Sequence, residues 1–156
     1  MSLWLGAFPL QQVPARSSAA APVSGVWQAQ RVNAKPLPMT DEVIGRDGLT
    51  HAIRLYGMTL RLRPNGQFQA ALMYKQSILT KGEKIDAQAI LNDTWAGTYS
   101  VTGNHYHFDP KPQKGQQKVD PFDGDMSGRR ITVAFDYEIV RRQHYVLDLD
   151  RNENMY

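Results

Sequence analysis

Residues 56–74 read Tyr56-Gly57-Met58-Thr59-Leu60-Arg61-Leu62-Arg63-Pro64-Asn65-Gly66-Gln67-Phe68-Gln69-Ala70-Ala71-Leu72-Met73-Tyr74. Apolar side chains fall on even positions from Tyr56 to Leu62 and again, beyond the Pro-Asn-Gly, from Phe68 to Tyr74. A period of two marks a strand with one buried face, so the stretch predicts two strands joined by a turn. Opposed residues of an antiparallel pair share a face; Leu62 must then meet Phe68, which leaves a three-residue loop at Pro64-Asn65-Gly66. Proline first and glycine in the left-handed position suit a type I turn closed by a G1 bulge. A two-residue Asn-Gly loop would set Leu62 opposite Gln69 and is rejected on that ground.

The same test applies downstream. Trp95, Gly97, Tyr99 and Val101 lie on odd positions, whereas Tyr106 and Phe108 lie on even ones. A two-residue type II′ loop at Gly103-Asn104 switches the parity, pairing Val101 with Tyr106 and Tyr99 with Phe108. A third pair comprises Ile131, Val133, Phe135, Tyr137 and Ile139 against Tyr145, Leu147, Leu149 and Arg151, connected through Arg141-Arg142-Gln143. A first strand is expected over Gly25 to Val32, followed by the loop 33–38, whose Pro36 and Pro38 exclude a central strand. Residues 39–50, with Gly45 and Gly48, read as a mobile connection, and 110–129 as a polar loop. A short extra strand is expected around Ile85 to Leu91. The total of seven or eight strands predicts an all-β, antiparallel up-and-down barrel, with a two-sheet sandwich as the alternative.

Composition sets the outer bounds. The chain has 156 residues, 42% of them hydrophobic and 21% charged, enough for one domain with a packed core. Its net charge of +3 comes from scattered basic residues rather than a stripe, so no nucleic-acid partner is expected. The absence of cysteine excludes disulfides, zinc-thiolate centres, cysteine nucleophiles and iron-sulfur clusters. The apolar run Leu3 to Phe8 falls far below the ~20 residues of a membrane helix, so no membrane span is expected. Residues 1–24, with small Ala19 and Ala21, read as a signal-peptide-like or disordered segment preceding a domain over 25–156. Export to a periplasm or the exterior is the expectation, with a cytoplasmic location as the alternative.

Gly25-Val26-Trp27, opening the first strand, resembles the G-x-W signature of the lipocalins and related calycin barrels. In that superfamily an arginine from a late strand packs across the first-strand tryptophan and closes the base of the barrel. The resemblance implies that Trp27 and Arg151 form this structural pair, with Gly25 beside them; an arginine over an indole face contributes about 1 kcal/mol. Phe135-Asp136-Tyr137 faintly echoes the family's T-D-Y motif without its threonine. The lack of the usual disulfide, and of room after Arg151 for a C-terminal helix, makes the resemblance one to a bacterial-type lipocalin-like domain.

The parity that predicts the strands also predicts a lining. Tyr56, Tyr74, Tyr99, Tyr106, Tyr137 and Tyr145 all take inward positions, with Trp27, Trp95, Phe68, Phe108 and Phe135. Such rings suit a cavity for a small hydrophobic or amphipathic ligand, because each tyrosine adds a hydroxyl to its apolar area. A small barrel also fills itself with such rings, but so many buried hydroxyls in a dry core would all need partners. Tyr56, Phe68, Tyr74, Trp95, Tyr99, Tyr106, Phe108, Phe135, Tyr137 and Tyr145 are the candidate ligand-binding residues. His105 and His107 have the spacing of a strand metal pair, but their parity and that of His144 point outward. Asp120, Asp123 and Asp125 around Gly124 lack the spacing of a calcium loop. No nucleophile elbow, phosphate loop or dinucleotide fingerprint is present, and no cofactor or metal is expected. Asp136, Glu138, Asp148 and Asp150 fall on the outward parity, leaving no evident acid/base pair inside. Binding without catalysis is therefore the leading expectation. An isomerase or cyclase in the same cavity is the second. The third is a solid barrel that docks a protein through loops 33–53 and 110–129.

Overall fold

The structure, a computed structural model, describes residues 24–80, 83–86 and 89–154; the segment read as signal-like lies almost wholly outside these. Eleven strands follow one another: β1 Gly25–Val32, β2 Lys35–Pro36, β3 Met39–Ile44, β4 Thr50–Leu62, β5 Gln67–Thr80, β6 Glu83–Asp86, β7 Leu91–Thr102, β8 His105–Lys111, β9 Phe122–Ser127, β10 Arg130–Glu138 and β11 Arg142–Arg151. All pairings are antiparallel, and no helix occurs among the described residues. Because β1 pairs with β11 on one side and β4 on the other, eight strands close into a barrel in the order β1, β11, β10, β9, β8, β7, β5, β4. The sandwich alternative is thereby excluded. Closure leaves this ring no free edge, which removes the usual hazard of an exposed strand.

The first two hairpins have the registers that turn chemistry and parity require. Leu62 faces Phe68, with Gly66 at a φ of +79°. Val101 faces Tyr106 and Tyr99 faces Phe108, with Gly103 at +61°. In the third hairpin Phe135 faces Tyr145, but Glu138 already pairs with Arg142. The connection is therefore Ile139 to Arg141, and Ile139 belongs to the turn rather than to the strand.

Three stretches expected to be loops hold strands instead, and in the first, 33–38, β2 is a two-residue edge strand on β1, where Pro36 is tolerated. Residues 39–44 form β3, which pairs Met39 with Leu55 and Ile44 with Thr50. Strand β4 begins at Thr50, well before Tyr56, and a bulge between Leu55 and Gly57 shifts its register. The bulge reverses the parity: Ile53 and Leu55 are buried before it, Met58, Leu60 and Leu62 after it. Tyr56 is consequently only half-buried, under the Arg54 guanidinium 5.6 Å from its ring, and is not among the buried rings. Within 110–129, β9 pairs with both β8 and β10 and brings in Phe122, a buried ring absent from the expected lining. Asp-Gly-Asp spacing hides this strand, since Gly124 sits where a side chain would meet Val133 at 2.9 Å.

The rings pack on one another through the middle of the barrel. Phe108 stacks on Phe122 at 4.8 Å, Phe68 meets Phe108 edge-on at 5.2 Å, and Phe122 lies 5.5 Å from Phe135. Outward positions such as Arg61, Gln69, Thr98, His107, Asp123 and Asp136 are polar, the reverse of the apolar outer band of a membrane barrel.

Candidate functional site

The topology gives the barrel two different ends. At one end lie the tight turns after β4, β7 and β9, together with Gly25 and Arg151. There Trp27 faces Arg151 across β1 and β11, with the guanidinium carbon 5.7 Å from the indole ring. Arg151 also donates to the Ser24 carbonyl at 3.3 Å. A side chain at Gly25 would come within 3.4 Å of both Arg151 and Trp27, so glycine leaves the space in which they meet. The structure thus brings together the pair that the resemblance implied. Tyr99 ends here too, its hydroxyl donating to the Arg63 carbonyl at 2.6 Å.

At the other end β4 and β5 overrun their barrel partners, and the segment 112–121 crosses from β8 to β9. Val119 of that segment is buried in the core, and the Gln117 side-chain amide pairs with the backbone of Glu138. Beneath the segment a cavity of about 260 Å³ is lined by Tyr74, Asp93, Trp95, Val119, Tyr137 and Glu138, with Gln116 and Gln117 from the crossing segment. Three rings, those of Tyr74, Trp95 and Tyr137, stand in a lining whose exposed surface is mostly polar, and Trp95 and Tyr137 stack at 5.5 Å with planes 22° apart.

The cavity is organised around Asp93. This residue shares the parity of Trp95, Gly97 and Tyr99 on β7, which turns its half-buried carboxylate to the same side as the rings. The hydroxyls of Tyr74 and Tyr137 both donate to Asp93 Oδ2, at 2.9 and 2.5 Å. Burial, followed by the hydrogen bond to Asp93, pushes both phenols well above the usual tyrosine range, so both remain donors. Tyr145 donates to Gln143 at 2.8 Å, and burial pushes its phenol up to about 12. The buried hydroxyls that argued for a ligand in the lumen are thus met by protein groups near the two ends, while rings fill the middle. The parity of β7 carried the signal for Asp93. Asp93 is an inward carboxylate on β7, whereas those of the last two strands, Asp136, Glu138, Asp148 and Asp150, take the outward parity.

A second polar group lies nearby. His51 is 5% exposed and donates or accepts at both ring nitrogens, with Asp47 at 2.9 Å and Gln76 at 3.2 Å. Gln76 and Tyr74 are two apart on β5 and so share a face. His51 was hidden by the parity reversal at the bulge. From the turn between β3 and β4, Arg46 reaches Glu138 at 3.5 Å and ties the overrunning hairpin to the rim.

Other candidates are on the outer wall. His105 and His107 are exposed and paired with Asp125 and Asp123, and His144 with Asp136. Asp120 accepts from Arg142. No group of three or more His, Asp or Glu among the described residues is arranged to hold a metal ion. A larger groove of about 400 Å³ runs between Arg61, Gln69 and Gln113 over Ala71 and Ala96. Unlike the end cavity, it has no buried hydrogen-bonded polar group to orient a bound molecule. Comparison of the chain with family models, curated proteins and solved structures finds no match, so its closed eight-stranded barrel is compatible with a calycin-like fold without a family being assigned.

Proposed function

We propose that this protein is a non-catalytic, lipocalin-like binding barrel that holds one small amphipathic molecule at its open end. The observation that carries the reading is the Asp93 carboxylate, fixed by two phenol hydroxyls at the wall of a mostly polar cavity that also holds three aromatic rings. A barrel that only had to fill itself would gain nothing from a carboxylate there, since half-burying the charge costs free energy that apolar packing avoids. Trp95 and Val119 supply apolar contact for the body of the molecule, and Asp93 and Gln116 supply polar contact for its head. The G-x-W glycine and tryptophan with their arginine partner support the lipocalin-like assignment. Export, expected from residues 1–24, belongs to the same proposal.

For the isomerase or cyclase alternative the candidate bases in this cavity are Asp93 and Glu138, and Asp93 is the one held by the two phenols. Both phenols already donate to its Oδ2, so that oxygen is engaged by the protein rather than presented to a substrate proton, which favours binding over turnover. Native mass spectrometry of the full chain purified from its own host tests the proposal. The expected result is a small co-purifying adduct that disappears when Trp95→Ala opens the cavity wall. Bare protein, together with no response of the 112–121 amides to host extract in hydrogen exchange, would overturn it.

A further inference from the structure

We infer that the head of the bound molecule is cationic, an ammonium group seated against Asp93; this rests on the binding proposal and narrows its ligand class. The cavity is lined by two carboxylates, Asp93 and Glu138, and by no lysine or arginine among the described lining residues. This local excess of negative charge stands out in a chain whose net charge is +3. An anionic head would meet two like charges in a partly desolvated space, where Coulomb terms are stronger than in water.

The two acids are not equivalent. Glu138 already has Arg46 at 3.5 Å, a cation delivered by the protein itself. Asp93 has only neutral partners. Both phenols donate to Oδ2, and Oδ1 accepts no hydrogen bond among the described residues. The seat for an external cation is therefore Asp93. The rings beside it reinforce the choice, because Trp95 and Tyr137 present π-systems whose quadrupole attracts an ammonium group.

A second observation points to the same cavity. Trp95 is only 5% exposed, yet its Nε1 has no hydrogen-bond partner among the described residues. Buried donors are normally satisfied, so the wall of this cavity carries an unmet donor, enclosed rather than open to solvent.

Isothermal titration of the full chain with three probes of nearly one shape provides the test. Choline carries the positive charge, tert-butylethanol is its neutral carbon isostere, and the tert-butylacetic acid anion carries the opposite charge. Choline should bind at least about tenfold more tightly than the neutral isostere, and the anion more weakly still. Asp93→Asn should remove most of that preference, whereas Glu138→Gln should change it little. Equal binding of choline and its isostere, or tighter binding of the anion, would overturn the charge assignment while leaving a binding site in place. Heat from none of the three would sink the site and the charge together. If Asp93→Asn does not fold, judged by circular dichroism, the comparison of the three probes on the unaltered chain decides alone.

Discussion

The two ends of this barrel each bury a tryptophan whose indole N–H has no partner among the described residues, and the similarity stops there. Trp27, 1% exposed, sits under the Arg151 guanidinium among tight turns, with Gly25 admitting the contact. Trp95 stacks on Tyr137 beside a cavity and a carboxylate. An unpartnered indole is thus not a site in itself. What separates the ends is one connection: every turn at the first end is short, whereas at the second the ten-residue segment 112–121 spans the opening beside the short 139–141 turn and leaves space beneath it. Structural packing is concentrated at the first end and the proposed recognition at the second.

If that contrast holds, truncation at the closed end should cost far more stability than a comparable change at the open one. Trp27→Ala removes a fully buried indole and should lower unfolding free energy by about 4 kcal/mol in urea denaturation. Arg151→Ala should cost only about 1 kcal/mol, since its side chain remains partly solvated. Gly97→Ala probes the wall between the ends. An added Cβ would lie 2.0 Å from the Asp109 carbonyl, so β8 must move, at a cost of about 3 kcal/mol. At the open end Tyr137→Phe should cost about 1 kcal/mol by the same measurement, with the Tyr74→Phe cycle non-additive because both hydroxyls share one oxygen. An open-end loss as large as that of Trp27→Ala would make Asp93 a structural anchor and erase the contrast.

The smallest effect concerns the outer wall, which belongs to neither end. Hydrogen bonds from the His105 ring to Asp125 and then Asp123 hold His105 above its ordinary 6.5, and His107 holds Asp123 below its ordinary 3.8. A raised histidine contributes stability that is complete below 6.5 and lost as pH climbs through its folded value. A lowered aspartate contributes stability present above 3.8 and lost as pH falls through its folded value. The pairing is therefore in force between about pH 4 and pH 6.5. These groups are exposed, so the effect on stability is slight, but NMR titration resolves it. The His105 midpoint should fall in Asp125→Asn; an unchanged midpoint would show that the pair does not form in solution.

Much of the fold was legible because its decisive information is local. The Leu62–Phe68 and Tyr99–Phe108 registers follow from turn residues within a few positions of the strands they join. Tyr56 shows where local reading fails. Gly57 is the one local sign of the bulge between Leu55 and Gly57, since an isolated glycine inside a strand marks such places; the bulge lies where one edge of β4 passes from β3 to β1, a long-range fact. For the same reason His51 escaped notice. Phe122 was lost because a strand reading Phe-Asp-Gly-Asp-Met-Ser is polar at every second position and carries glycine on its inward face.

From sequence alone came the strand class and the hairpin registers, properties of parity and turn chemistry, while the meeting of first and last strands at Trp27 and Arg151 was implied by the resemblance of Gly25-Val26-Trp27 to the lipocalin signature. Tertiary structure alone decided that the rings pack against each other in mid-barrel and that space remains under the segment 112–121. It also decided that Asp93 meets Tyr137, 44 residues away. The physical reason is that alternation fixes which face a side chain takes, but only the closed ring of strands fixes which side chains from distant strands stand at the same height along its axis.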